Sequence, residues 1–600
     1  MEAMARGASY DPRTLIGERL SERRLSASRL ERRDRRIALL RLVVFLIFLG
    51  LAVAAYAHRL PAAWLALPGA AYLALVRAHD RALKALGRAR RAVAFHEGGL
   101  LRLEGRFAGK GDPGHRYASD EHPYARDLDL FGEGSLFELL CTARTLPGAD
   151  ALARWLLAPA APAEVRARQG AVAALAPRLD LREDLAVLGE DVRAEVQAER
   201  LARWAAGRRE LPGWLYLPAL GLPLLALSAL AALLLGVASP APLVGALLLE
   251  WGLLRAARGR LARVLGGVER PGAELAVLAG LLARLEQEPF DDPRLRALRA
   301  KLGTGAHAAS RRIAALSRTV ERAAWAQNQL FAPIAFLLLW RLHAALAIER
   351  WRAAHGGLVR EWLAASADFE ALAALAAHAF LHPEDPFPEI DEQAAALYEG
   401  EGLGHPLISP GRCVRNAVRL GPSARLLIVS GSNMSGKSTL LRTVGANAVL
   451  ALCGAPVRAT RLRLSALALG ATLRIQDSLA EGRSRFWSEI TRLRKLKDQC
   501  ARESPLLFLL DELLAGTNSR DRRIGAEAVV RAFLAHGAVG ILTTHDLALS
   551  ELAVSLPGSN AHFEDEVRGA ELRFDYTLRP GVATNSNALA LMRAVGLEVG

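Results

Sequence analysis

Cysteine is scarce in this sequence, which has four cysteines in 600 residues. No two of them stand at the short spacing typical of a metal site or a redox-active pair. The sequence therefore gives no sign of a disulfide framework or a cysteine-ligated zinc module, and its cysteine usage suits the reducing cytosol. The four are Cys141, Cys413, Cys453 and Cys500.

Acidic residues are fewer than basic ones, 62 against 77, which leaves a net charge of +15. Most basic residues are arginine, and alanine is the prevalent small apolar residue. Codon usage can also produce this bias. The excess charge leaves DNA, an acidic membrane surface or neither open as a partner. For the arginine-rich stretch Arg19–Arg36 we favour lipid contact beside a membrane over DNA.

Charge is absent altogether from three long apolar runs. Val43–Ala57 and Leu60–Val76 are uncharged, and Leu211–Leu249 has no charged residue over its whole length. A membrane-spanning helix needs roughly 20 apolar residues. The sequence therefore predicts two transmembrane helical hairpins, at 37–77 and at 211–254.

Arginines flank both outer ends of each predicted hairpin, so the positive-inside rule places those ends in the cytoplasm. The alternative is that the runs are buried core helices, and Pro212, Pro218, Pro223 and Glu250 make the second hairpin the weaker prediction. Phe331–Trp340 is also apolar but too short to span, and it reads as a buried core helix.

A complete phosphate-binding motif of the form G-x-x-x-x-G-K-[ST] follows the apolar run Arg425–Ser430. A strand before the loop and a helix after it are the setting that this motif requires. Its backbone N–H groups and the helix N-terminus bind phosphates, Lys437 reaches the β- and γ-phosphates, and Ser438 is a Mg²⁺ ligand. The predicted nucleotide-binding residues are Gly431, Ser432, Asn433, Met434, Ser435, Gly436, Lys437, Ser438 and Thr439.

Two further strands end in polar residues downstream of this loop. Pro505–Leu510 leads into Asp511 and Glu512. We assign Asp511 to the Mg²⁺ shell and Glu512 to orienting or deprotonating the attacking water. The strand that ends at Thr544 delivers His545, which we predict to be a γ-phosphate sensor.

The amino acids at the positions of these motifs resemble those of the MutS family of ATPases. Asn433-Met434 inside the loop, Ser484-x-Phe486-x-x-Glu489 as a form of the ABC-type signature, and Thr544-His545 carry the resemblance, and Gly516–Arg522 is similar to the family's dimer-contact segment. Upstream, Asp127–Leu140, Gly148–Leu156, Phe369–Leu372 and His405–Leu407 are similar to the family's helical core and its entry into the ATPase domain.

The resemblance implies an ATP- and Mg²⁺-dependent ATPase that works as a homodimer. Ser484 of one protomer would serve the γ-phosphate held by Lys437 of the other, and Asn518 and Asp521 would lie near the shared interface. Where many relatives carry an aromatic residue just before the Asn416 position, this chain has Cys413-Val414-Arg415, so adenine stacking is not implied there.

The predicted fold class is a multidomain α plus α/β protein. It combines membrane hairpins, an all-α MutS-like core and a carboxy-terminal ABC-type P-loop ATPase with a largely parallel sheet. The predicted divisions are a basic cytoplasmic lead at 1–36, the first hairpin at 37–77, a mixed segment at 78–125, a helical core at 126–390 interrupted at 211–254, and the ATPase domain at 395–600.

Three functions compete at this point. The first is a multi-pass ATPase of the cytoplasmic membrane with its catalytic domain in the cytosol. The second is a tethered sensor of mismatched or damaged DNA, although no mismatch-reading domain precedes residue 125, so mismatch specificity is not expected. The third, half of an ABC transporter, lacks the Leu-Ser-Gly-Gly-Gln type of signature.

Overall fold

The computed structural model describes residues 10–188, 198–266, 272–432, 434–473, 485–500, 504–514, 517–568 and 571–582. Two predicted site residues, Asn433 and Ser484, lie outside these ranges. Within them the protein is mostly helical up to residue 381 and forms two β-sheets after it. An all-α part followed by an α/β part agrees with the predicted fold class.

Two long antiparallel helices, α1 (Pro12–Tyr56) and α2 (Ala66–Leu103), form the amino-terminal part. Asp11 caps α1 by accepting hydrogen bonds from the N–H groups of Arg13 and Thr14, both at 3.1 Å. The helix then runs for 45 residues, about 68 Å at the usual rise of 1.5 Å per residue. The predicted basic lead and the first apolar run are therefore one continuous helix.

The surface of this helix pair changes character along its length. In the basic half, Arg24 pairs with Glu97 at 2.7 Å and Arg90 with Glu31 at 3.4 Å, which holds the two helices together with charged groups. The apolar half exposes large hydrophobic side chains, including Leu39, Leu46, Val53, Trp64 and Leu67. An isolated exposed leucine is normal in a soluble protein, whereas a contiguous apolar surface of this kind marks an interaction site.

The base of α1 and α2 docks onto a helical core. Ile16 packs against Phe380 and Leu381, and buried His96 lies 2.9 Å from Glu183. The core helices are α3 (Leu136–Leu140), α4 (Leu146–Leu157), α5 (Pro162–Leu175), α6 (Leu179–Val187), α7 (Ala198–Ala206), α8 (Tyr216–Leu234), α9 (Ala241–Gly266), α10 (Gly272–Gln287), α11 (Pro293–Lys301), α12 (Ala309–Ala324), α13 (Ala332–Leu337), α14 (Trp340–His355) and α15 (Val359–Leu381).

Helix α15 is the centre of this core, and its carboxylate Glu370 fixes the start of α4. Glu370 accepts hydrogen bonds from the N–H groups of Arg144 and Thr145 at 2.7 and 3.2 Å and from the Thr145 hydroxyl. Burial raises the pKa of Glu370 to about 7. Burying a carboxylate costs folding free energy unless it is hydrogen-bonded. The contacts of Glu370 therefore favour the one arrangement in which the start of α4 lies against α15.

The second charge-free run forms α8 and the first part of α9. These two helices are antiparallel and pack against α14. One side of α8 is buried, at Ala219 and Ala226, while Leu217 and Leu224 on the other side are 81% and 60% exposed. The Tyr216 hydroxyl donates to the carbonyl of Leu346 at 3.4 Å. The run is thus attached to the core along one face and is not enclosed by it.

The prediction of a buried helix at Phe331–Trp340 is wrong. Only Ala335 and Leu339 are buried there, while Leu330 just before it is 90% exposed and Ile334 is 49% exposed. The helix is broken at Leu339, whose φ of 45° is left-handed, so the segment folds as a bent loop rather than as a core helix. Apolar composition alone does not distinguish the two cases.

Among the described residues, three helices are long and apolar enough to cross a membrane: Pro12–Tyr56, Gly213–Leu234 and Trp340–Leu381. The apolar windows of these helices are 0%, 22% and 78% buried. The third is therefore core. The return helices α2 and α9 have shorter apolar parts, which end at Arg77 and Glu250.

The carboxy-terminal part contains two sheets. A four-stranded sheet has the order β1-β5-β2-β3, and a six-stranded sheet has the order β10-β9-β4-β8-β7-β6, in which all neighbours except β10 and β9 are parallel. The strands are β1 (Glu389–Asp391), β2 (Tyr398–Leu403), β3 (Asn416–Leu420), β4 (Leu426–Ser430), β5 (Arg461–Ser465), β6 (Ala468–Thr472), β7 (Leu506–Asp511), β8 (Val539–Thr544), β9 (Gly558–Arg568) and β10 (Glu571–Pro580). The helices are α16 (Lys437–Cys453), α17 (Arg485–Cys500), α18 (Ser519–Ala535) and α19 (Leu552–Ser555).

Candidate nucleotide-binding site

The phosphate-binding motif connects β4 to α16, at the carboxyl edge of the parallel sheet. Gly436, with a φ of 108°, precedes the first turn of α16 in a left-handed conformation that glycine adopts without strain. Met434 also has a positive φ, of 73°, and its side chain is 86% exposed. The loop therefore wraps over the N-terminus of α16, where free backbone N–H groups and the helix dipole favour an anion.

Lys437 is buried and its ammonium group lies inside the loop. The Nζ atom donates to the carbonyls of Gly431 and Ser432 at 2.8 and 2.7 Å and lies 3.8 Å from Oε1 of Glu512. The side-chain oxygen of Ser435 in the same loop is buried without a hydrogen-bond partner in the described residues. A phosphate bound in this loop would supply an acceptor to both groups, so the residues present fit a nucleotide.

Asp511 lies against the first residues of α16, because β7 is separated from β4 only by β8. Ser438 donates its hydroxyl proton to one carboxylate oxygen of Asp511 at 2.5 Å, and Thr543 donates to the other. A serine hydroxyl beside a carboxylate is the oxygen donor set that Mg²⁺ takes from proteins while keeping several of its waters. The two predicted metal ligands are thus brought together.

Glu512 and His545 also meet at this edge. The Nδ1 atom of His545 is 3.3 Å from Oε1 of Glu512. Glu512 has a left-handed φ of 45°, a strained conformation for a residue with a side chain, of the kind that clusters at functional sites. The following backbone is held by Glu489 of α17, which accepts from the N–H of Leu514 at 2.7 Å. The strain aims the Glu512 carboxylate into the cleft beside Lys437.

A cleft of about 970 Å³ opens beside these groups, and part of its wall was not predicted from the sequence. Tyr576 and Phe563 give it two aromatic rings, and Val414 and Ile408 add apolar surface. Asn416 fixes Tyr576 by donating to its carbonyl at 3.0 Å and by accepting from the N–H of Leu578 at 2.8 Å. An aromatic side chain is therefore available in the cleft although none precedes Asn416. Strand register, which no local motif encodes, places it there.

Burial sets the charge state of one histidine in this wall. His405 lines the cleft, and burial, assisted by nearby Arg442, lowers its pKa to about 4. The side chain is therefore neutral near pH 7. Its Nδ1 atom lies 3.2 Å from the N–H of Leu407, which fixes the turn that carries Ile408 into the cleft.

The end of helix α2 reaches the same cleft. Glu104, Gly105 and Arg106 line it directly after the last helical residue, Leu103. Arg102, the residue before Leu103, donates to the carbonyls of Leu139 and Cys141 at 3.0 and 3.3 Å, which fixes the helix end to the core. A single helix thus extends from the exposed apolar end of α2 to the wall of the nucleotide cleft.

A second junction joins the core to the phosphate-binding domain at Asp127. Its carboxylate pairs with Arg492 of α17 and accepts from the N–H of Leu473 at 2.8 Å. Its backbone carbonyl accepts from Arg442 of α16 at 3.2 Å. Asp127 therefore contacts both the helix that follows the phosphate loop and the helix that contains Phe486 and Glu489 of the predicted signature.

The predicted dimer-contact residues lie on the surface at the start of α18. Asn518 caps this helix by accepting from the N–H of Asp521 at 2.8 Å, and its amide donates to the Asp521 carboxylate at 2.7 Å. Both residues are exposed. The contacts between these two residues fix the first turn of α18. Their solvent-facing side remains accessible to a second protomer.

Comparison with known proteins agrees with this geometry. Residues 427–598 match MutS domain V. In these residues the chain resembles the MutS family. Its matched domain is the ATPase domain of that family, so the predicted recognition is confirmed at this level.

Three relatives illustrate the extent of the similarity. An endonuclease MutS2 of Thermus thermophilus is 34% identical over 33% of this chain and 26% of its own length. A DNA mismatch repair protein MutS of Natronomonas pharaonis is 31% identical over 40% and 28%, and a MutS 2 of Haloarcula marismortui is 37% identical over 29% and 18%. The chain thus matches about a quarter of the length of these MutS proteins.

Proposed function

We propose that this protein is a membrane-anchored MutS-type ATPase that hydrolyses ATP as a homodimer and couples the cycle to movement of its helical core. The catalytic domain lies in the cytosol and two helical hairpins enter the cytoplasmic membrane. The observation that carries the proposal is helix α2, because one unbroken element joins an exposed apolar surface to the wall of the nucleotide cleft.

The chemistry of hydrolysis is assigned to five side chains. Lys437 neutralises phosphate charge, and Glu512 orients or deprotonates the attacking water from a position 3.8 Å from the Lys437 ammonium. His545, at the end of β8 and 3.3 Å from Glu512, senses whether the γ-phosphate is present. Ser438 and Asp511 would hold Mg²⁺, which would supply positive charge to the phosphate oxygens. Positioning and electrostatics of this kind account for most of catalysis in phosphoryl transfer.

Coupling follows from what the cleft touches. Arg106 and Glu104 stand at the cleft wall on the end of α2, and Asp127 ties α16 and α17 to the core. A nucleotide can shift a conformational equilibrium only through contacts that differ between the two states. These contacts are the ones that ATP binding would change, and α2 would carry the change to the first hairpin.

The anchoring proposal is supported by the distribution of exposed apolar side chains. In α1 and α8 these side chains face outwards over lengths of helix that suit a bilayer, and arginines flank the outer ends of both pairs. In water such surfaces would favour aggregation, whereas in lipid they are stable. We propose that the hairpin α8–α9, which interrupts the helical core, takes the place of the DNA clamp that the MutS resemblance implies, so that movement of the core acts on the membrane and not on DNA.

DNA binding separates this proposal from its main alternative, a tethered mismatch sensor. A charge-free run cannot neutralise phosphates, which supply most non-specific DNA affinity. In detergent, with and without ATP, we expect homoduplex, mismatched and branched DNA to bind weakly, with strong salt dependence and without sequence preference. A tenfold preference for mismatched over perfect duplex, about 1.4 kcal/mol, would favour the alternative.

A further inference from the structure

We propose that residues 325–340 form a third membrane-embedded element, a re-entrant loop that inserts into the lipid beside α8 and α9. The inference rests on the proposed membrane association and extends it to a segment too short to span. The segment lies between α12 and α14, and α13 within it packs against α8 and α9. Its apolar surface is therefore continuous with that of the second hairpin.

The charge pattern of this segment is that of a membrane insertion. No charged residue occurs from Ala323 to Trp340, and arginines stand immediately outside, at Arg322 and Arg341. The same arrangement of a charge-free run between arginines marks both proposed hairpins. Arginine at the ends of an inserted segment places its charge at the lipid headgroups.

Two tryptophans form the neck of the loop. The rings of Trp325 and Trp340 are stacked, with centroids 6.2 Å apart and an interplanar angle of 10°, and Phe331 packs edge-on against Trp340 at 5.3 Å. The indole N–H of Trp340 donates to the carbonyl of Arg322 at 2.7 Å. Because both tryptophans lie at one level, the chain enters and leaves on the same side, and tryptophan is the residue enriched at membrane interfaces.

The tip of the loop exposes apolar side chains that no residue in the described part of the chain covers. Leu330 is 90% exposed, and Ile334 on α13 is 49% exposed. Leucine and isoleucine are favourable in the hydrocarbon region, and the loop is too small to form a core of its own. A lipid surface is the occupant that matches an apolar tip above an aromatic neck and an arginine rim.

The backbone of the loop is compatible with insertion, because buried peptide groups must be hydrogen-bonded in lipid. Asn328 accepts through its backbone carbonyl from the N–H groups of Phe331 and Ala332, at 3.0 and 2.8 Å, and through its side chain from Leu330 at 2.9 Å. Leu338 and Leu339 are bonded to the turn before them, at 3.0 and 2.9 Å. The loop thus satisfies much of its own backbone.

A fluorescent label sensitive to polarity tests the proposal. The full chain carrying Cys413→Ser and Leu330→Cys would be labelled and placed in vesicles of phosphatidylcholine and phosphatidylglycerol, with and without spin-labelled lipids. Matched labels at Leu46→Cys in α1, Leu224→Cys in α8 and Lys301→Cys on an exposed core helix calibrate the response. Leu330 is an exposed tip residue, so its replacement does not disturb a packed core.

We expect the label at position 330 to be blue-shifted and quenched by spin-labelled lipid, as at positions 46 and 224, while the label at 301 is not. Quenching at 46 and 224 without quenching at 330 would overturn the re-entrant loop and leave the hairpins in place. A blue shift at 330 without lipid quenching would overturn it in favour of contact between protein copies. Absence of quenching at all of these positions would overturn both the loop and the membrane anchor.

Discussion

Replacing Glu512 by glutamine is expected to stop ATP turnover while leaving ATP binding intact. The substitution keeps the shape of the side chain beside Lys437 and His545 but removes the base that orients or deprotonates water. Loss of a general base costs about a hundred- to ten-thousand-fold in rate. Phosphate release and retention of labelled ATP on the same preparation measure the two effects. The exposed Glu551, which is paired with Arg523 away from the cleft, supplies the control Glu551→Gln.

Lys437→Ala is expected to remove binding itself. Its ammonium group is buried inside the loop with two backbone carbonyls, so nothing else in the loop replaces that charge beside a phosphate. The two variants therefore fail at different steps. Hydrolysis by Glu512→Gln at the wild-type rate would show that another group orients or deprotonates the water. Retention of ATP by Lys437→Ala would show that ATP binding does not depend on the lysine of the phosphate loop.

Arginine substitutions in both hairpins are expected to release the protein from membranes. Leu42, Leu46, Leu220 and Leu224 are each more than half exposed, so arginine there disturbs no packed core. An arginine at the centre of a span costs about 2.5–3.5 kcal/mol and one nearer its end costs less, so the four together cost at most about 10–14 kcal/mol. Flotation of vesicles with the full-length chain measures the effect. ATP hydrolysis should persist in the released protein, because none of the four lines the cleft.

The matched control places the same number of arginines at exposed apolar positions outside the hairpins. These are Leu25, Leu83, Leu358 and Ile524, which are 59%, 47%, 40% and 59% exposed. This variant should float as the wild type does. If both variants float equally, or if the wild type does not float, the exposed apolar faces serve some other contact.

Motifs with a local physical signature could be predicted from the sequence. The phosphate loop needs glycines and a lysine at fixed spacing, and its strand and helix stand where that spacing requires them. The meeting of Ser438 with Asp511, and of Glu512 with His545, follows from parallel strands ending at one edge of a sheet. Chain order alone does not give the strand order β4-β8-β7, but any order that places these strands together yields the same cluster.

Features that depend on long-range packing could not be predicted. Tyr576 reaches the cleft because β10 is displaced by a bulge between Phe574 and Leu578, and nothing in the neighbouring sequence marks this. The cleft wall at Arg106 is more than 300 residues away from the phosphate loop along the chain and joins it only through the docking of α2. The sequence predicts a core helix at Phe331–Trp340, and this prediction is wrong because apolar composition does not reveal whether protein or another medium covers a side chain.

The central claim is that nucleotide at the cleft moves the membrane hairpin, and one distance measurement tests it. Spin labels at Tyr56→Cys, which is 87% exposed at the end of α1, would be placed in the Cys413→Ser, Glu512→Gln chain in lipid nanodiscs. The account predicts a distance distribution between the two protomers that shifts when ATP and Mg²⁺ are added and does not shift in Lys437→Ala. The account would be contradicted by a distance distribution that is the same with and without bound ATP. It would also be contradicted if no second spin label lay close enough to give a measurable distance, because the protein would then not be a dimer.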